Sequence, residues 1–497
     1  MKKSTFYSKN IESKFYRLSL LILLFSSLSA RCGKEKTGDP DSDEKPVPAS
    51  EYSITPDKTK TSPVSDKLMG FNLVYPHEKN AIWQDGKIAG YLKDVKVAFL
   101  RYPGGTVTSF YHWNAPTGEG WKDSWDPENP VVAKASSEFM NIDEYITLVK
   151  STGATPLVGI NISSGRRWNR SNDGTTEALA LMQYCRNKNF EVKYWFLDNE
   201  PYQHDSNGGA KTPEEYAGLI NMYAPLMKAF DPDIKIIVNW NAGFKNKRSE
   251  YEKLIRLAGA NIDVIDVHWY WNWNNPSWES WLEKTPMEQW TGDTYTEDIA
   301  YFRQMVKDLG FPGIKLASLE WNSGPPKAGT FTTGRSALTQ SEMMMQFISG
   351  GLDMAAFWPI HWPDESFLVR SFVNTATNTA NPNYGLFKFF GKMQGGQLIG
   401  SQITQTCNGM VSIMVKDPIT QTVRIGILNK NSKDIVTEFR MEQFPELKFK
   451  EAQSFTLNSD GSNFSLASMA LLKSDKSTLT KFISKGISLT LLTFEKL

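Results

Sequence analysis

Between residues 67 and 395, eight short apolar runs alternate with helix-like stretches, and this predicts an α/β chain folded as a (β/α)8 TIM barrel; from residue 396 a change of texture predicts an appended C-terminal antiparallel β-sandwich. Three observations carry the prediction. The runs are nearly continuous in aliphatic and aromatic residues, as strands covered on both faces require. The stretches between them place apolar residues on one helical face, for example Ala178, Leu179, Met182 and Cys185. Beyond residue 396 the spacing switches to period two: Val411, Ile413 and Val415, then Val423, Ile425 and Ile427.

In chain order, the first strand is expected over residues 67–75 and the second over 97–102, where Pro103-Gly104-Gly105 turns the chain. A long aromatic loop leads to a helix over 141–152. The third strand is expected at 156–163, and the helix at 175–187 opens after Asp173-Gly174. The fourth covers 192–197; its aromatics favour a strand, and Pro201 ends pairing. Thr212-Pro213-Glu214-Glu215 is a capping pattern with proline in the first turn of the next helix. Strand five (234–240) precedes a helix at 249–258, strand six (264–270) one at 296–309, and strand seven (314–321) one at 339–350. Strand eight (354–358) and a helix at 383–394 complete the cycle. In the sandwich Asp417-Pro418 marks a turn, and Ile487, Leu489 and Leu491 form a last alternating run. Residues 51–66 are expected to join it as an N-terminal strand.

The chain has 497 residues and a net charge of +1, which gives no electrostatic case for nucleic acid. Lys2, Lys3, Lys9, Lys14 and Arg17 precede an apolar run over 18–28, too short to span a bilayer comfortably and suited to a signal peptide. Residues 1–32 are therefore read as an export signal. It ends at Cys32, which resembles the lipid-attachment site of bacterial lipoproteins, although Arg31 stands where a small residue is usual. The expected location is exported and membrane-anchored, periplasmic or at the cell surface. Residues 33–50 are charged and Pro-rich, as a disordered tether would be. Cys185 and Cys407 lie in different predicted domains, against a disulfide framework. The five histidines lack metal-ligand spacing, so neither a catalytic metal nor a cofactor is expected.

In parallel barrels chemistry sits at the C-terminal ends of the strands. By this count Glu200 ends strand four and Glu320 ends strand seven, 120 residues apart (320 − 200). Paired carboxylates at one barrel mouth are what glycoside hydrolysis requires, and they point to a carbohydrate substrate. Arg101 ends strand two and is a partner for Glu320, whose pKa it would lower. Tyr270, ending strand six, is a second donor for Glu320. His268 either bonds a substrate hydroxyl or fixes a loop. Asn72 and Asn161, at the ends of strands one and three, are hydroxyl ligands or loop caps. Asn199 adjoins Glu200. Trp358, with His361 and Trp362 after strand eight, either floors a sugar subsite or packs in the rim.

Arg101 to Gly105 followed by Tyr111-His112-Trp113, the helix containing Tyr184-Cys185, Asn199-Glu200, His268-Trp269-Tyr270 and Glu320-Trp321-Asn322 together resemble glycoside hydrolase clan A. Within that clan they are most similar to the family 51 α-L-arabinofuranosidases. The resemblance covers the barrel and the sandwich. It implies Glu200 as acid/base and Glu320 as nucleophile, with retention of anomeric configuration. The carboxyl groups are then expected roughly 5–5.5 Å apart. The chain departs from the family at Thr106, where asparagine is usual after the double glycine. It departs also at Gly70-Phe71-Asn72-Leu73, which lacks the first-strand glutamate, and at Asp198, where glycine precedes Asn-Glu in the family. Two alternatives therefore stand beside the arabinofuranosidase-like reading: an endo-acting β-glycanase of the same clan, agarase- or porphyranase-like, and a non-catalytic carbohydrate-binding lipoprotein.

Overall fold

A computed structural model describes residues 48–497 except 117–119, 129–137, 274–275, 328, 363–368, 469–472 and 476–478. The expected signal peptide, Cys32 and all but the end of the tether lie outside the described residues. No described helix is long and apolar enough to cross a membrane.

Eight parallel strands close into a barrel: Gly70–Asn72, Phe99–Tyr102, Thr155–Ile160, Tyr194–Leu197, Lys235–Asn239, Val264–Asp266, Lys315–Ser323 and Met354–Phe357. The eighth pairs with both the seventh and the first, Met354 opposite Ala317 and Phe357 opposite Phe71, so no edge is left open. Period-two alternation sends Phe99, Leu157, Phe196, Ile237, Val264, Ala317 and Met354 into one interior cluster. Gly159 makes room for it, because a Cβ there would sit 2.3 Å from the Phe196 ring. Two residues further along the same faces stand Arg101, Asp198, Asn239 and Asp266. The interior is thus apolar at mid-barrel and polar at the C-terminal mouth.

The structure redraws several expected boundaries. The first strand shortens to Gly70–Asn72, and Tyr75–His77 turns into a 3-10 helix. The third stops at Ile160, because Ser163–Arg167 is already helical. The sixth breaks after Asp266 and resumes as Trp269–Trp271, pairing with the seventh strand at Trp269–Trp321. Ile142–Thr152 opens on a reciprocal capping box between Asn141 and Glu144, and Pro213–Phe230 on the Thr212 hydroxyl.

The second domain is a ten-stranded sheet folded over its own apolar face. All its pairings are antiparallel but one. Tyr52–Pro63 lies antiparallel to Gln397–Gln405 and parallel to Ile435–Arg440. Ile54, Ile425, Phe439, Leu492 and Phe494 fill the space between the layers.

The long loop after the second strand is held by a buried ionic network. His112 Nδ1 donates to Glu177 at 2.8 Å, and its Nε2 donates to Asp123 at 3.0 Å. Asp123 also accepts from Ser164, Trp168 and Arg167, all after the third strand. Burial alone would lower the His112 pKa; the two carboxylates outweigh it and push the imidazole up to about 9. A histidine raised in the folded state contributes stability that is fully present below its ordinary pKa of about 6.5 and lost as pH rises through about 9. His112→Gln is therefore expected to have a lower thermal midpoint at pH 6 and a shallower decline between pH 6.5 and 9.5 than the native chain. Parallel midpoint-versus-pH curves for the two proteins would contradict this.

Candidate active site

The chain leaves the fourth strand through two left-handed residues, Asp198 (φ 65°) and Glu200 (φ 44°). Non-glycine residues pay for that conformation, so neighbours must hold it. Asp198 is buried and accepts the hydroxyls of Ser109 and Ser163 and the Asn199 backbone N–H. Burial raises its pKa, and these donors oppose the rise. The Glu200 N–H donates to Asn239 Oδ1 at 3.0 Å, and Asn207 donates to the carbonyls of Asn199 and Glu200. Segments after strands two and three, the last residue of strand five and the short helix after strand four thus clamp this turn.

Arg101 is fully buried, stacked over Phe196 with its guanidinium 4.3 Å from the ring centre. Its Nη1 donates to Glu320 Oε1 at 2.8 Å and to Asn72 Oδ1 at 2.9 Å, and its Nη2 to Asn199 Oδ1 at 2.6 Å. The Tyr270 hydroxyl donates to Glu320 Oε2 at 2.9 Å. Burial raises the Glu320 pKa above its ordinary value and Glu200 adds to the rise; Arg101 does pull it down, as the sequence leads one to expect, together with His268, without reversing the direction.

His268 lies between the glutamates. Its Nδ1 is 2.7 Å from Glu200 Oε1 and 3.5 Å from Glu320 Oε2, and its Nε2 is 3.0 Å from Asp266 Oδ2. Burial works against protonation, but Glu320, Asp266 and Glu200 override it and the imidazole is pushed up to about 10. Both ring nitrogens therefore carry hydrogens at neutral pH. One oxygen of Glu200, one of Glu320 and a His268 nitrogen lie within 4.8 Å of one another.

Glu200, Glu320, Tyr270 and Trp358 open onto one cavity of about 640 Å³. Trp358 is seated against Gly105, where a Cβ would fall 2.5 Å from the indole and φ is +61°. Two expected ligands are corrected. Asn72 spends its amide on backbone carbonyls of strands seven and eight, Leu319 at 2.7 Å and Phe357 at 3.1 Å, and its oxygen on Arg101, so it positions the arginine and ties the barrel shut. Asn161 bonds Ser164 at the start of the following helix and borders a different cavity, beside Tyr111 and Glu177. Arg101, Asn199 and His268 stand behind the glutamates and do not line the cavity. Sequence reasoning missed Gln203, which donates to Glu200 Oε2, and also Tyr202, Asn241, Asn246, Trp273 and Trp290. Gln203 follows Glu200 by three residues in a helical turn, a spacing that signals contact; Tyr202 shares that turn, Asn246 lies in the short 3-10 helix Lys245–Lys247, and Asn241, Trp273 and Trp290 lie on irregular segments, none with such a signal.

The described residues thus form a closed parallel barrel with two adjoining glutamates at its C-terminal mouth, followed by a folded-over β-sheet. Known proteins resemble the chain over part of its sequence or in fold. No protein-family model matches it. It is 31% identical over 202 residues to α-L-arabinofuranosidase C of Emericella nidulans, covering 36% of this chain and 38% of that one. Over 216 residues it is 27% identical to an intracellular exo-α-(1→5)-L-arabinofuranosidase of Streptomyces lividans, covering 38% and 30%. The chain thus spans less than two-fifths of the length of these curated relatives. Among solved structures, the α-L-arabinofuranosidase of Thermotoga maritima superposes with a TM-score of 0.67 at 17% identity, over 90% of this chain and 100% of that one. CelM2, a bifunctional glucanase-xylanase from a metagenome library, does so with 0.63 at 16% identity, over 90% and 99%. At such identities the structural likeness is one of fold. The resemblance to arabinofuranosidases read from the motifs is found again in both comparisons.

Proposed function

We propose that the chain is a retaining glycoside hydrolase of α-L-arabinofuranosidase type, acting on an oligosaccharide or polysaccharide. The observation that carries the reading is the approach of Glu200 and Glu320 oxygens to within 4.8 Å, which suits direct attack rather than an intervening water. Glu320, oriented by Arg101 and Tyr270, attacks the anomeric carbon and forms a glycosyl ester as the bond to the leaving oxygen breaks. Glu200 gives its proton to that oxygen. Water then adds to the anomeric carbon, Glu200 takes its proton, and the ester bond to Glu320 breaks.

Proton NMR of the first product formed tests this. The sugar is expected to appear first in the anomeric form of the substrate and only later to mutarotate. Initial release of the opposite anomer would replace the double displacement by a single inverting step. Exposed tryptophans around an open cleft favour a second reading, an endo-acting glycanase of the same clan. The size of the first products separates the two: single sugars for the former, oligosaccharides for the latter.

A further inference from the structure

The aromatic residues around the cavity fall into two groups. Trp358 is buried beside the glutamates, whereas Trp273 and Trp290 line the same cavity yet are 48% and 62% exposed. A singly exposed indole needs no explanation, but two that converge on one cavity form an apolar patch of the kind that marks a binding surface. The backbone of the turn that carries Trp290 is tied from both sides. Gln289 and Asp293 close it through a 2.8 Å backbone bond, and the Gly292 N–H donates to the Gln289 carbonyl. Lys245 ties it from outside, donating to the Thr291 carbonyl at 3.0 Å and to Asp293 at 2.6 Å, with Arg248 on the other Asp293 oxygen. A turn tied in this way presents the indole from a fixed backbone position, so less backbone ordering is left for a ligand to impose. Trp273 packs edge-on against Tyr270, 4.7 Å between centres, one ring away from Glu320. Asn246, beside Lys245 on the loop after strand five, opens onto the same space and offers an amide for hydroxyl groups.

We infer that Trp273, Trp290 and Asn246 form a subsite for a further, uncharged sugar unit beyond the one cleaved, so that the ligand is a neutral oligosaccharide or polysaccharide. The charge of the ligand follows from the walls. Among the described lining residues the only ionisable carboxylates are Glu200 and Glu320, and there is no lysine or arginine. Lys245 and Arg248 are bound to Asp293. A sulfate or uronate brought here finds no cation and faces two glutamates.

The inference rests on the carbohydrate reading of the site, and its test separates the two. Calorimetry is run on the Glu320→Gln protein with di- and hexasaccharides from arabinan, arabinoxylan, mixed-linkage β-glucan and agarose, and with polygalacturonate and carrageenan hexasaccharides. At least one neutral hexasaccharide is expected to bind about 10-fold or more tighter than its disaccharide. Adding Trp290→Ala should bring that ratio close to one, and adding Trp121→Ala, an exposed tryptophan outside the cavity, should leave it unchanged. Failure of every neutral sugar to bind, a ratio unaltered by Trp290→Ala, or equally tight binding of the anionic sugars would overturn the subsite. The unsubstituted chain is assayed on the same sugars. Binding with the expected ratio but no cleavage would leave the subsite standing and remove the hydrolase reading; cleavage with an unaltered ratio would do the reverse.

Discussion

Glu320→Gln is expected to lower kcat on any hydrolysed glycoside by about 10⁴-fold or more while the thermal midpoint stays near that of the native chain. Glutamine has the shape of glutamate, and its amide oxygen still accepts from Arg101 or Tyr270. It is too weak a nucleophile to form the glycosyl ester, so the first step is lost at its root. The contrasting variant is Glu200→Ala. An activated leaving group needs no proton, so a dinitrophenyl glycoside should restore ester formation, and azide, small enough for the vacated space, should accelerate release and yield a glycosyl azide of retained configuration. If azide and an activated substrate instead rescued Glu320→Ala with retention, the two roles would be exchanged. If neither variant lost turnover, the site would lie elsewhere.

The second large effect belongs to a buried ion pair remote from the glutamates. Lys430, just past the strand Val423–Asn429, donates to Glu342 in the barrel helix Thr333–Gly350 at 3.0 Å, and both side chains are fully shielded from water. The same ammonium donates to the Lys284 carbonyl and lies 4.5 Å from the Trp281 ring centre, and Glu342 also accepts the Met287 N–H. Burial lowers the Lys430 pKa and raises that of Glu342; each charge is kept by the other. The pair joins barrel and sheet, and half of it is worse than none. Lys430→Met or Glu342→Leu alone should cost about 3–5 kcal/mol, whereas both together should return to within about 1–2 kcal/mol of the native chain. Urea denaturation followed by fluorescence measures this. Single variants within ~1 kcal/mol of the native protein would mean that water reaches the interface.

Much of the site was legible because strand periodicity is a local signal. Near-continuous apolar runs with helices between them set the count of eight, and the count placed Glu200 and Glu320 at the ends of the fourth and seventh strands on one mouth of one barrel. The apolar residue two positions before Arg101 or Asp266 likewise tells which face each takes, since a strand repeats every second residue. The pairing of Arg101 with Glu320 then follows from charge, because a buried guanidinium at that mouth requires a carboxylate.

What a polar residue at a strand end touches was decided only by tertiary structure. Asn72 and Asn161 hold equivalent places in sequence, yet the closure of strand eight onto strand one offers Asn72 the carbonyls of Leu319 and Phe357, while the helix at Ser163 claims Asn161. The break in the sixth strand after Asp266, unmarked by any glycine or proline in the run 264–270, sets His268 between three carboxylates, which raise its pKa. Trp290 reaches the cavity from a turn whose path is fixed by a distant partner, Lys245 on Asp293, and Asn246 from the short 3-10 helix that Lys245 opens. Periodicity reports the face a side chain takes on its own element. Which elements that face meets depends on barrel closure, register and loop path, and these are properties of the whole chain.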